Sequence, residues 1–150
     1  MRQATSEPIR SLDPDRVPWI PAGPGTWFRP LRFTAGGWSE LIRLEPGSAV
    51  TTHRHTGEVH AINLAGTREI FGTGEQVGPG NYVYEPAGTV DGWGTIGDEP
   101  CVVHIKVVGS IEYLGRNGQV IESVNAQTRR ARYLAWCREH GVRPAEQILG

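Results

Sequence analysis

Apolar and polar residues alternate in short runs along most of this chain, and glycine or proline cuts the runs every few residues. Period-two alternation bounded by turn residues is the pattern of half-buried strands. Thr26 to Phe33 carries Trp27, Phe28, Leu31 and Phe33, and Pro30 predicts an edge position, because proline has no N–H for a central ladder. Trp38 to Leu44 puts Trp38, Ile42 and Leu44 on one face, the expected inner one. Further strands are expected up to His55 and over Val59–Leu64, Thr67–Phe71, Asn81–Glu85 and Cys101–Val108. Asn117-Gly118, set between apolar runs, is a strong short-range hairpin signal. From Asn125 the period changes: Asn125 is a cap, Ala131, Leu134, Ala135 and Cys137 fall near helical spacing, and Gly141 marks the stop. A short turn over Ala145–Leu149 is expected to dock on the body. Many short strands followed by one helix predict an all-β fold, a small barrel or double-sheet jelly roll with a C-terminal α-helix.

Residues 1 to about 16 are polar, with Pro8 and Pro14, and read as an arm. Val17-Pro18-Trp19-Ile20-Pro21 is apolar but broken by proline. It is expected to lie across the domain or reach a neighbouring subunit as an edge segment. This gives residues 1–37 as an arm and edge strands of the same domain, 38–124 as the barrel and 125–150 as a helical tail. A chain of 150 residues suits one core of this kind.

Charge and cysteine content narrow the function classes. A formal charge of -1 lacks the basic excess of a nucleic-acid footprint, and Arg129, Arg130 and Arg132 read as a solvated helix face. No apolar run approaches a membrane span, and Met1-Arg2-Gln3-Ala4-Thr5-Ser6-Glu7 lacks the apolar core of a secretory signal. Cys101 and Cys137 stand far apart without a partner pattern, so a reducing cytoplasm is the expected location.

The chemistry concentrates in Thr52-His53-Arg54-His55-Thr56-Gly57-Glu58-Val59-His60, which holds three of the five histidines. Histidines two apart on a strand project from one face, and two imidazoles can grip one divalent ion. His60 follows where a turn could return a third imidazole, and Glu58 is a loop acid that could take its place. His104 shares a face with Lys106, opposite Val103, Ile105 and Val107, and reads as outward or internally satisfied before it reads as a ligand. Trp38, Tyr82, Tyr84 and Trp93 are candidate walls of an aromatic pocket, or plain core.

Gly47, followed after five residues by His53-Arg54-His55 and then by Gly66, resembles the first motif of the cupins, and Gly80-Asn81-Tyr82-Val83-Tyr84-Glu85-Pro86-Ala87-Gly88-Thr89-Val90-Asp91 resembles the second. Across residues 38 to about 140, including Gly109-Ser110-Ile111-Glu112-Tyr113-Leu114 and the hairpin beyond, the likeness is to the 2,4'-dihydroxyacetophenone dioxygenases, with acetylacetone-cleaving dioxygenases second. The resemblance implies a cupin jelly-roll barrel holding Fe(II), which splits a carbon–carbon bond beside a carbonyl with O₂. The substrate is then a small diketone or hydroxyketone, and the assembly a homo-oligomer, dimer or tetramer. His53 and His55 carry over as metal ligands. The family's last metal histidine is Asp91 here. Asp91 either binds the ion, with His60 as a further ligand or substrate contact, or faces solvent or a backbone donor. Glu85 matches a position near the metal pocket, where it orients a ligand or steers the substrate; otherwise it is a solvated strand-end acid. Trp38, Tyr82, Trp93 and His104 are the candidate substrate-pocket residues. The changed ligand set keeps zinc, manganese and nickel open as the ion. It also leaves two rival readings: a non-oxidative isomerase, dehydratase, cyclase or lyase, and a binding cupin without chemistry.

Overall fold

The computed structural model describes residues 8–150, so residues 1–7 of the expected arm lie outside the described residues. Twelve strands form the body: β1 (Ile20–Gly23), β2 (Thr26–Phe33), β3 (Gly37–Leu44), β4 (Ala49–His55), β5 (Val59–Ala65), β6 (Thr67–Ile70), β7 (Glu75–Val77), β8 (Tyr82–Glu85), β9 (Val90–Ile96), β10 (Cys101–Val108), β11 (Ile111–Leu114) and β12 (Val120–Val124). Two helices follow, α1 (Ala126–His140) and α2 (Glu146–Leu149). The strands make two six-stranded sheets, in the orders β1-β2-β3-β10-β5-β8 and β12-β11-β4-β9-β6-β7. Consecutive strands cross repeatedly between the sheets, and every pairing is antiparallel, which is a jelly roll.

The inner faces form one core that runs from Val17 and Ile20 through Phe28, Trp38, Leu44, Val59 and Val103 to Tyr133, Cys137 and Ile148. The expected strands are present, and β7 and β9 are two that the alternation did not predict. The proline-broken segment supplies β1, which pairs with β2 as the edge of its sheet. β2 is therefore not an edge strand. Its register with β3 shifts between Pro30 and Arg32, so Pro30 sits at a bulge, where a missing N–H is tolerated.

Asn125 caps α1 through a capping box with Thr128, and Gly141 ends the helix in the left-handed region at φ 65°. The buried stripe of α1 is Ala126, Tyr133 and Cys137, whereas Ala131 is exposed. Arg129 lies along that stripe and departs from the solvated face expected of it. Its guanidinium donates from Nε and a terminal nitrogen to Glu40, at 3.0 Å for the shortest contact, and lies 4.1 Å from the Phe28 ring centre. Glu40 is fully buried and also accepts from Trp38 Nε1 at 2.8 Å. Cys101 and Cys137 are buried free thiols.

Candidate functional site

One irregularity sets the site. Across β4 and β9, Val50 faces Trp93 and His53 faces Asp91, so Thr51 and Thr52 together oppose Gly92 alone. This bulge adds a residue and resets the parity of β4. Val50 then packs against the core while His53 and His55, at odd spacing from it, also face inward. Uninterrupted alternation would have sent either Val50 or the histidine pair to solvent.

His53 and His55 are 4% and 2% exposed. They line a cavity of about 260 Å³ between the sheets, with Arg68, Glu85, Trp93 and Tyr113 among its walls. A larger hollow of about 410 Å³, beside α1 and the C-terminus, holds no histidine or carboxylate side chain. His53 Nδ1 donates to the Thr51 carbonyl at 2.7 Å, which fixes the tautomer and leaves a lone pair on Nε2. That Nε2 lies 3.2 Å from His55 Nε2, and the rings meet edge to face. Nδ1 of His55 is buried without a partner. Burial holds both imidazoles neutral. Desolvation lowers the His53 pKa against the Thr51 contact and the Asp91 charge, and desolvation with the His53 neighbour pulls His55 down to about 4. Glu85 Oε2 approaches His55 Nε2 at 3.8 Å, and burial raises the Glu85 pKa although Arg68 opposes the rise.

The other sequence candidates are placed differently. Asp91 is the cross-strand neighbour of His53, but its Oδ1 accepts the Gly72 and Gly92 backbone N–H groups at 2.8 and 2.7 Å. His60 is directed away from the cavity. Val59 and Ala61 on either side are buried, and His60 lies on the outer face, donating to Glu58 at 3.2 Å and accepting the Tyr82 hydroxyl. Tyr82 and Tyr84 are more than half exposed on that same face and do not line the cavity. His104 is half-buried on the outer face too, opposite Leu41 and Ile62. Trp38 is core, bound to Glu40 away from the cavity. Of the four expected pocket residues, Trp93 alone lines the cavity. Among the described residues no group of three or more His, Cys, Asp or Glu side chains is arranged to hold a metal ion.

Sequence reasoning missed Arg68. It is 4% exposed, lies 4.8 Å over the Trp93 ring and donates from Nε to Asn63 Oδ1 at 3.0 Å. Nothing in Thr67-Arg68-Glu69-Ile70 marks that arginine as inward, because a four-residue strand gives too short a pattern.

A pH effect follows from His55. The unfolded chain binds a proton below about pH 6.5 while the folded site resists it down to about 4. This contribution is therefore complete above pH 6.5 and declines as pH falls to about 4, by about 3 kcal/mol in all. Glu85, raised, acts in the opposite direction. Urea unfolding of metal-free protein at pH 7.5 and 4.5 should show the loss, and His55→Gln should flatten it. An unchanged pH slope in that variant would contradict the assignment.

With this geometry in place, the profile of the ChrR Cupin-like domain matches residues 10–108. The chain belongs to that cupin family. No curated protein matches this cupin. Among solved structures it is similar to an RmlC-like cupin protein from Ralstonia eutropha, at 25% identity over 93% of both chains with a TM-score of 0.87. It also resembles an acetylacetone dioxygenase from Acinetobacter johnsonii, at 20% identity over 89% of this chain and 95% of the other, TM-score 0.75. A third is the polyketide cyclase RemF from Streptomyces resistomycificus, at 16% identity over 95% and 99% of the two chains, TM-score 0.58. The last two likenesses show the fold. No described helix of this cupin is long and apolar enough to cross a membrane.

Proposed function

We propose that this cupin is a metal-dependent enzyme acting on a small enolisable carbonyl compound, with oxidative cleavage of a carbon–carbon bond as its reaction. The observation that carries the reading is the pair of neutral, buried imidazoles with Nε2 atoms 3.2 Å apart. Two nitrogens that share one ion at roughly 2.0–2.1 Å stand about 2.8–3.4 Å apart for right-angled to tetrahedral geometry. His53 and His55 therefore suit one divalent ion, and the Thr51 carbonyl fixes the ring of His53 as outer partners of metal histidines do. Glu85 would be drawn in as the third donor on metal binding in this reading, because its carboxylate lies 3.8 Å from His55 Nε2, whereas Oδ1 of Asp91 is held by two backbone N–H groups. Two histidines and one carboxylate with open positions is the donor set of non-haem Fe(II) oxygenases. The ion would supply Lewis acidity toward a carbonyl oxygen and, as iron, a site for O₂.

The chain's own residues do the rest. Trp93 and the apolar wall exclude water and orient the substrate. Glu85, through the carboxylate oxygen not engaged by the ion, would take the proton lost on enolisation. That proton-handling carboxyl also favours the second reading, non-oxidative chemistry on the same substrate class, such as isomerisation or cyclisation. Diketones and hydroxyketones are the class the resemblance implies, with Fe(II) the foremost ion. The test is anaerobic Fe(II) loading followed by O₂-uptake assays over diketones, hydroxyacetophenones and oxo acids. O₂ consumption coupled to product supports cleavage, turnover under nitrogen supports the second reading, and no turnover in either atmosphere counts against both.

The third donor has its own expected result. Glu85→Gln should weaken metal binding by about tenfold or more, whereas Asp91→Asn, which keeps an acceptor for Gly72 and Gly92, should change it by less than about threefold. Competition with a chelating dye measures both, and the reverse order would hand the role to Asp91.

A further inference from the structure

Arg68 holds a full positive charge inside the cavity, since a guanidinium does not lose its proton in a protein. Its Nε is committed to Asn63, whose amide is itself fixed by the Val77 carbonyl at 2.9 Å. Trp93 lies under the guanidinium plane. The terminal N–H groups, by contrast, make no hydrogen bond and no ion pair with any described residue. Glu85 and Asp91 share its field without reaching it as direct partners. The contrast with Arg129, whose guanidinium is matched to the buried Glu40, is instructive. A buried cation without a direct countercharge is costly unless an anion completes it. The guanidinium fork offers two parallel N–H donors, the match for a carboxylate.

We infer that Arg68 is the anchor for a substrate carboxylate, so that this cavity takes a small oxo acid, with its carboxylate on Arg68 and its carbonyl toward His53 and His55. The placement of the carbonyl rests on the proposed function; the carboxylate site rests on Arg68 alone. The Asn63 and Trp93 contacts hold the fork in place before binding, so little side-chain freedom is lost when the anion arrives. A neutral diketone of the same shape would leave the cation uncompensated.

The test compares two near-isosteric probes, 3-oxobutanoate and pentane-2,4-dione, by tryptophan fluorescence or calorimetry. Both metal-free and metal-loaded protein are used, and metal content is measured separately, so a failed metal reading is told apart from a failed anion site. The expected result is binding of the oxo acid about 10- to 100-fold tighter than the diketone, the worth of a charge-assisted hydrogen-bonded pair. Arg68→Gln should abolish that preference. Arg68→Lys, which keeps the charge but loses the fork, should retain part of it and also serves if the glutamine variant does not fold. Equal binding of the two probes by the wild-type protein, tighter binding of the diketone, or binding of neither would overturn the inference.

Discussion

Arg129→Met should destabilise the fold by about 3–5 kcal/mol, the loss expected when one partner of a buried ion pair is removed and the other stays behind. Glu40 has no exposed surface, and Arg129 and the Trp38 indole N–H are its partners. Removing the guanidinium leaves a carboxylate facing apolar core with one neutral donor. Its stem and plane also cover Phe28, so packing is lost along with charge. The double variant Arg129→Met, Glu40→Met should recover most of the loss, because an apolar pair of similar volume replaces two charges that no longer need solvation. Urea denaturation of the wild type and the single and double variants measures this. A single-variant loss under about 1 kcal/mol, or no recovery in the double, would show that the pair is not what ties α1 to the inner sheet face. Arg129 also forms part of the cavity wall, so the same contact joins helix docking to the shape of the site.

His53→Ala and His55→Ala should each lower metal affinity by more than about 100-fold and carry activity down with it, since each removes half of the nitrogen donors and leaves the other imidazole alone in an apolar wall. The stability change should have the opposite character. Metal-free His55→Ala removes a buried ring whose Nδ1 has no partner, so its cost is smaller than the ring's volume alone suggests. Titration with a competing chelator and a parallel urea series separate the two effects. An affinity within about threefold of wild type in either variant would place the ion elsewhere.

Much of this was legible from the chain. The β-branched run of β10, the Asn117-Gly118 hairpin and the Asn125 and Gly141 ends of α1 rest on local rules that the tertiary structure leaves intact. The histidine pair was legible because period two puts both rings on one face. What was not legible had a physical cause in each case. β9 carries Gly92 and Gly94, where a Cβ would meet the Val50 carbonyl at 2.9 Å and the Phe71 ring at 2.8 Å. Its glycines therefore answer to close packing and hide the strand pattern. β5 does not declare its inner face: Val59, Ala61 and Asn63 point inward while His60, Ile62 and Leu64 point outward, so each face carries two apolar residues and one polar one. Pro30 suggested an edge because its bulge depends on β3. Arg129 read as a surface charge and Arg68 drew no reading at all, because their partners, Glu40 and Asn63, are fixed by folding and not by spacing.

The central claim is that the Nε2 atoms of His53 and His55 hold one ion, completed by oxygen donors. X-ray absorption spectroscopy of the protein loaded with Fe(II) or Zn(II) tests it most directly. The account predicts two imidazole nitrogens at about 2.0–2.1 Å with the remaining positions filled by oxygen, and loss of the imidazole signal in the double variant His53→Ala, His55→Ala. A shell with a single imidazole or none, or one unchanged by that double substitution, would contradict it.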